Sequence, residues 1–233
     1  MGHRFMTSII AIANIAGGTQ KTTASHSLAV AMVEYGKKVL LIDLDPRAEL
    51  TFNLGLERSR ISIVEMLQGS VLTQSNDITT EERFDFVGAD SRLASIADVN
   101  CLKTFLDASA QKFDIVIIDT PSAIDPRLAM AVLAADALLI PASPSIHSVR
   151  GAMATARIES KAVKYILPLQ DFDISAFADL DSARCIDAQI PQETNLDVAI
   201  THKRSALSTD KNSDFAQAYR EAAYSILEEL NHF

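Results

Sequence analysis

Five short apolar runs alternate with stretches of helical period along the first two-thirds of the chain. The runs are SIIAIAN (8–14), KVLLIDLD (38–45), FDFVG (84–88), FDIVIID (113–119) and DALLIPA (136–142). Each is apolar at odd and even positions alike, and each has the length and branching of a strand buried on both faces. A helix is expected from Thr22 to Tyr35, with Leu28, Ala29, Met32 and Val33 on one stripe and Gly36 as its stop. Further helical patterns cover 61–68, 91–110, 126–135 and 147–165. Two-faced strands joined by helices predict an α/β fold, a doubly wound, mostly parallel sheet with helices on both faces. No repeat, linker or low-complexity segment interrupts 1–233, which reads as one domain. One stretch resists. Between Ile158 and Pro191 there is little room for another strand-helix-strand unit: either the sheet is trimmed there, or a loop is missing from the sequence.

Composition changes this picture only at the margins. A net charge of −9 argues against a surface built throughout for nucleic acid, though a local basic patch remains compatible with it. Cys101 and Cys185 are far apart and form no C-x-x-C pair, which suits a reducing cytoplasm and suggests neither a disulfide framework nor a zinc site. No run reaches the roughly 20 apolar residues of a membrane span. MTSIIAIAN is too short for a signal-peptide core, and the leading MGHRF reads as an addition ahead of a natural start at Met6.

Candidate chemistry begins where the first strand ends. NIAGGTQKTTAS (14–25) looks like the phosphate loop G-x-x-x-x-G-K-[ST], with Ala16 opening the run and Gln20 in place of its last glycine. Residues Ala16, Gly17, Gly18, Thr19, Gln20, Lys21, Thr22 and Thr23 would surround a nucleotide's phosphates at the positive end of the following helix. Lys21 would reach the β- and γ-phosphates and the Thr22 hydroxyl would bind Mg²⁺. The second strand ends in LLIDLDPRAELT and the fourth in DIVIIDTPS, so Asp43, Asp45 and Asp119 share one edge with the loop. Ligands of doubly wound sheets bind outside such strand ends. A glycine pair after a strand is also an ordinary tight turn, and a terminal Asp an ordinary cap; the joint order of all these residues is what favours Mg-nucleotide chemistry.

These motifs resemble the ParA/MinD group of deviant Walker ATPases over most of the chain. The loop resembles that family's KGGxGKTT, VLLIDLDPRAEL its second motif and FDIVIIDTPS its Walker B strand; ADALLIPASPSIHSVRGAMA looks like its next strand and loop. The resemblance implies ATP and Mg²⁺ as cofactors. It implies that Lys21 binds phosphate, that Thr22 and Asp119 hold the metal with Asp43 supporting its shell, and that Asp45 positions the attacking water. It further implies an ATP-dependent homodimer, non-specific binding of double-stranded DNA or of membrane, and a partner protein that stimulates hydrolysis. The family's signature lysine belongs at position 16, where this chain has alanine. AGGTQKTT is closer to the carboxysome-positioning subgroup McdA, which lacks that lysine and is thought to take a cation from the C-terminal half. Arg150 is the first candidate for that cation, followed by Lys161 and Lys164 further along the same predicted helix. Arg150 pairing with a surface acid is the alternative.

The C-terminal YSILEELNHF carries Glu228 and Glu229 and no lysine, so it reads as a helix packed on the core rather than a membrane anchor. The basic positions for DNA are Arg184, Lys203, Arg204 and Lys211; THKRSALSTDKN (201–212) is a local basic excess, which could equally be a solvated loop. The expectation is a ParA-like positioning or partitioning ATPase, cytoplasmic and nucleoid-associated, with no membrane contact. It would distribute a carboxysome, plasmid or chromosome with a small McdB- or ParB-like partner. The alternatives are an ATP-held dimeric scaffold with little hydrolysis and a dethiobiotin-synthetase-like ligase.

Overall fold

Alternation within each apolar run decides the layering. In β1 (Ser8–Ile12), Ile10 and Ile12 enter one core while Ala11 enters another; Leu41 is parted in the same way from Leu40 and Ile42 in β2 (Val39–Asp43). In β4 (Ile115–Asp119), Ile115 and Ile117 go one way and Val116 and Ile118 the other. A strand apolar on both faces needs a helical layer on each, which is why the chain alternates between the two element types.

The computed structural model describes residues 6–59, 61–69, 79–170, 173–178, 180–192 and 196–233. The remaining strands are β3 (Asp85–Val87), β5 (Ala137–Ala142), β6 (Val163–Pro168) and β7 (Arg184–Cys185). The helices are α1 (Lys21–Glu34), α2 (Glu49–Asn53), α3 (Ile63–Leu67), α4 (Cys101–Ser109), α5 (Pro126–Ala134), α6 (Ile146–Ala156), α7 (Leu196–Thr201), α8 (Ala206–Thr209) and α9 (Asp214–Glu229). The strands form one parallel sheet in the order β3-β2-β4-β1-β5-β6-β7. One face packs on α1 and α9, where Phe215, Tyr219, Ile226 and Leu227 join Leu28 and Met32; the other packs on α4 and α5. The C-terminal helix is therefore a core element. Among the described residues, no helix is long and apolar enough to cross a membrane.

Three expectations need correction. The helix expected over 91–110 is a 3₁₀ turn at Ser91–Ser95, capped by the Asp90 carboxylate, followed after an interruption by α4. The helix expected over 147–165 stops at Ala156, and the chain returns as β6. Lys164 explains the stop: its ammonium donates to the carbonyls of Ala156 (2.9 Å) and Ile158 (2.6 Å), satisfying groups a longer helix would have bonded internally. Lys161 and Lys164 consequently sit on no helix. Lys164 pairs with Leu138 at the start of β6, on the sheet edge opposite the strand C-termini, with Lys161 just before it. Neither is placed to reach back to the phosphate loop. Finally, the stretch after Ile158 does hold a crossover, compressed to β6, a 3₁₀ turn (Ile174–Phe177) and the two-residue β7.

Candidate nucleotide site

The loop from Asn14 to Gln20 is shaped from three directions. Asn14 follows β1, and its side chain ties the loop to the neighbouring elements: Oδ1 accepts from the Ala16 N–H (2.9 Å), while Nδ2 donates to the carbonyls of Pro141 (2.8 Å) and Ser148 (3.3 Å). The Ile15 N–H donates to Thr155 Oγ1 (3.1 Å). Helix α6 presses on this loop through Gly151, where a Cβ would lie 2.4 Å from Asn14 Oδ1 and 2.6 Å from Ala16 Cβ. Only glycine allows that approach, and Ala16 is buried beneath it.

Gly18 and Gln20 both take left-handed backbone, with φ of 68° and 56°. Gln20 caps α1 without any side-chain hydrogen bond to the helix. A residue with a Cβ in that region costs about 1 kcal/mol, so Gln20→Gly should raise the melting temperature of the nucleotide-free protein by about 2–4 °C. A thermal melt showing no rise would mean the Gln20 side chain makes a compensating contact.

Lys21 opens α1 and folds back over the loop, donating to the Ala16 carbonyl (3.2 Å) and to Ser122 Oγ (2.5 Å). Burial pushes its pKa down, with the Asp119 charge acting in the opposite direction. Thr22 Oγ1 donates to Asp119 Oδ2 (2.8 Å), and Ser25, one turn on, donates to Asp119 Oδ1 (2.9 Å). Thr23 follows Thr22 on the same first turn of α1. Asp119 ends β4 and stands in register with Asp43 at the end of β2. Both carboxyls are fully shielded. Burial, reinforced by the Asp43 charge, pushes Asp119 up to about 7; burial pushes Asp43 up to about 6.

Asp43 has another duty. Its Oδ2 accepts from the Thr51 N–H (3.0 Å) and hydroxyl (2.7 Å), and its Oδ1 from the Asp45 N–H (3.0 Å). Thr51 Oγ1 in turn accepts from the Ala89 N–H (2.9 Å) after β3. Asp43 thus anchors the segment 45–51, leaving Thr22 and Asp119 as the direct oxygen pair. Hard oxygen donors suit Mg²⁺, and a buried carboxyl that resists ionisation is stabilised as an anion when a cation arrives. Among the described residues, no three His, Cys, Asp or Glu side chains gather into a metal cage, so a cation here would complete its shell from phosphate oxygens and water. The arrangement fits a Mg-nucleotide.

Asp45 lies at the same edge, paired with Arg47. Sequence reasoning missed Arg47, Asn14, Ser25, Thr51 and Ser122 as site residues. Ser25 stands one helical turn after Thr22, and Arg47, Thr51 and Ser122 lie inside the quoted strand-end motifs.

The other candidate cations are scattered. Arg150 is exposed on α6 in a shallow depression shared with Gly151 and with Ile15 and Ala16 of its own subunit's loop. Lys203, Arg204 and Lys211 lie around α8, and Arg204 pairs with Glu81 at 3.2 Å. Arg184 is apart from them, on edge strand β7 near Glu229 at the far end of α9.

Comparison with known proteins agrees with this geometry. Residues 7–166 match the family model of an AAA domain. The chain is 28% identical over 255 residues to the sporulation initiation inhibitor protein Soj of Bacillus subtilis, covering 95% of this chain and 98% of Soj. Its fold is similar to that of apo McdA from Cyanothece, with a TM-score of 0.79, 23% identity and coverage of 94% and 99%. It is also similar to that of the septum site-determining protein MinD complexed with Mg-ADP from Pyrococcus horikoshii, with a TM-score of 0.82, 24% identity and coverage of 95% and 96%.

Proposed function

The chain belongs to the ParA/MinD family of Walker ATPases, and we propose that it binds and hydrolyses Mg-ATP as a single-domain, nucleotide-dependent homodimer that positions a cargo on nucleoid DNA. The observation that carries this reading is the convergence of Lys21, Thr22, Asp119 and Asp45 on one sheet edge, with the Thr22 hydroxyl 2.8 Å from Asp119. Backbone N–H groups of 17–22 hold the phosphates at the start of α1, and Lys21 exchanges its Ala16 and Ser122 partners for phosphate oxygens. Mg²⁺, when bound, would supply positive charge to the phosphates. Thr22 and Asp119 would hold the metal, Ser25 and Asp43 would keep Asp119 and segment 45–51 in place, and Asp45 would position the water. Arg150, exposed beside Ala16, supplies its guanidinium to the partner subunit's phosphates in place of the missing lysine. Lys203, Arg204 and Lys211 give each subunit a small basic surface, and pairing two copies makes DNA binding depend on ATP. A McdB- or ParB-like partner would stimulate turnover.

The test is ATP turnover and binding to unrelated duplexes. Wild-type protein is expected to release phosphate only with Mg²⁺ and to bind duplexes only with ATP, with steep loss in salt; Lys21→Ala is expected to do neither. Absence of Mg-dependent turnover sinks the ATPase reading, and equal binding of DNA without nucleotide sinks the dimer-gated one. One observation favours the second reading, an ATP-held scaffold with little hydrolysis: the carboxylate assigned to water is already held on both oxygens by Arg47. A wild-type protein that binds ATP tightly and turns it over no faster than Asp45→Ala would establish it.

A further inference from the structure

Asp45, Pro46, Arg47 and Ala48 form a tight turn closed by the Ala48 N–H donating to the Asp45 carbonyl (2.8 Å). Pro46 sets the backbone at its second position and Ala48 leaves it in left-handed conformation at φ 54°. The turn brings Arg47 back onto the Asp45 side chain. Asp45 Oδ1 accepts from the Arg47 N–H (2.9 Å) and Nε (3.3 Å), and Oδ2 accepts from Nε (3.1 Å) and NH2 (2.7 Å). Three donor hydrogens, the Nε–H shared between both oxygens, thus hold a carboxylate that has about four lone-pair sites in total. In this state Arg47 covers both oxygens and competes with any water for them. Asp45 is nearly enclosed, whereas 66% of the Arg47 side chain is exposed, so the guanidinium is the partner free to leave. Its charge already bears on both Lys21 and Asp119, which places it within electrostatic reach of the phosphate site.

We infer that Arg47 is a γ-phosphate sensor in two positions. Without nucleotide it covers Asp45; with ATP it transfers its bidentate grip to the γ-phosphate and releases Asp45 towards the water. This rests on the ATPase reading above. Guanidinium exchanges one planar pair of oxygens for another, which a phosphate offers with greater charge than a carboxylate. ADP lacks the third phosphate and leaves Arg47 on Asp45. The loop holding this turn is pinned at its far end by Thr51 to Asp43 and Ala89, so the movement is confined to the Arg47 side chain and the turn. Unlike Arg150, Arg47 acts within its own subunit.

Calorimetric titration of wild type, Arg47→Ala and Arg47→Lys with Mg-ADP and with a non-hydrolysable Mg-ATP analogue tests this. Arg47→Ala is expected to leave ADP affinity unchanged and to weaken the analogue about tenfold or more, with Arg47→Lys recovering only part. Asp45→Ala, in which Arg47 has no competing partner, is expected to bind the analogue more tightly than wild type. Phosphate release by Arg47→Ala is expected to fall along with analogue affinity. An unchanged ratio of analogue to ADP affinity in Arg47→Ala would make Arg47 a mere clasp on the turn, and tighter analogue binding or faster turnover in that variant would likewise overturn the sensor. If wild type binds the analogue but shows no Mg-dependent turnover, the ATPase reading falls while the affinity ratio still decides the role of Arg47.

Discussion

Asp45→Ala is expected to bind Mg-ATP at least as well as wild type and to hydrolyse it some 100- to 1,000-fold more slowly, at the scale typical of losing a positioned proton acceptor. The asymmetry follows from what Asp45 touches. Among the described residues, its side chain hydrogen-bonds only the backbone N–H and guanidinium of Arg47. Deleting it removes no phosphate ligand. Nor does it remove the support of segment 45–51, which hangs on Asp43 through Thr51 and through the Asp45 N–H that alanine retains. Phosphate release and ATP titration on the same preparation check both halves. Wild-type turnover in Asp45→Ala would assign the water to another residue; lost ATP binding would make Asp45 part of the phosphate cradle.

Asp119→Asn should melt higher than wild type without nucleotide or metal at pH 8, and its advantage should shrink as pH falls towards 4. The sign follows from where the proton sits. Folding raises the Asp119 carboxyl from its ordinary value of 3.8 to about 7. Between those values the folded chain holds a proton that the unfolded chain has lost, so wild-type stability falls as pH rises through this window and stays low above it. A neutral amide avoids that cost, for a gain of up to about 4 kcal/mol, or roughly 8–16 °C in a protein of this size. The same variant loses the anionic half of the Thr22–Asp119 pair and is expected to bind Mg-ATP about 100-fold more weakly. Melts in chelator at pH 4.5, 6 and 8, with titrations of Mg-ATP, measure both effects. Melting curves that stay parallel across pH would mean the buried Asp119 exerts no cost.

The identity of β1 to β5 and the placement of Lys21, Thr22, Asp43, Asp45 and Asp119 were legible in the chain because both rest on local patterns: two-faced apolar runs, and polar residues where those runs stop. The errors arose where an ending depends on a distant group. Helix α6 could not be seen to stop at Ala156, since the group that closes it is the ammonium of Lys164, eight residues on in a run whose apolar spacing suits either element type. The break before α4 is set by Asp90 and by 97–100, which local periodicity blurs. At the site, the missed residues act on partners remote in sequence, as Asn14 does on Pro141 and Ser148, and Ser122 on Lys21. Arg47 is the exception: its partner is two residues away, and its side chain gives no periodic signal that would single it out.

The contact of Gly151 with Asn14 and Ala16 makes the phosphate loop and α6 mechanically one body. Two more fasteners, Asn14 to Ser148 and Ile15 to Thr155, reinforce the joint between the loop and α6. Substitutions at 16 and 151 are therefore coupled: a long side chain at 16 meets a helix already in contact, and any Cβ at 151 meets the loop. A lysine at 16 would thus disturb the helix that carries Arg150, so a cation there and its proposed replacement would compete for the same space. Installing a lysine at 16 would therefore require rebuilding α6 as well.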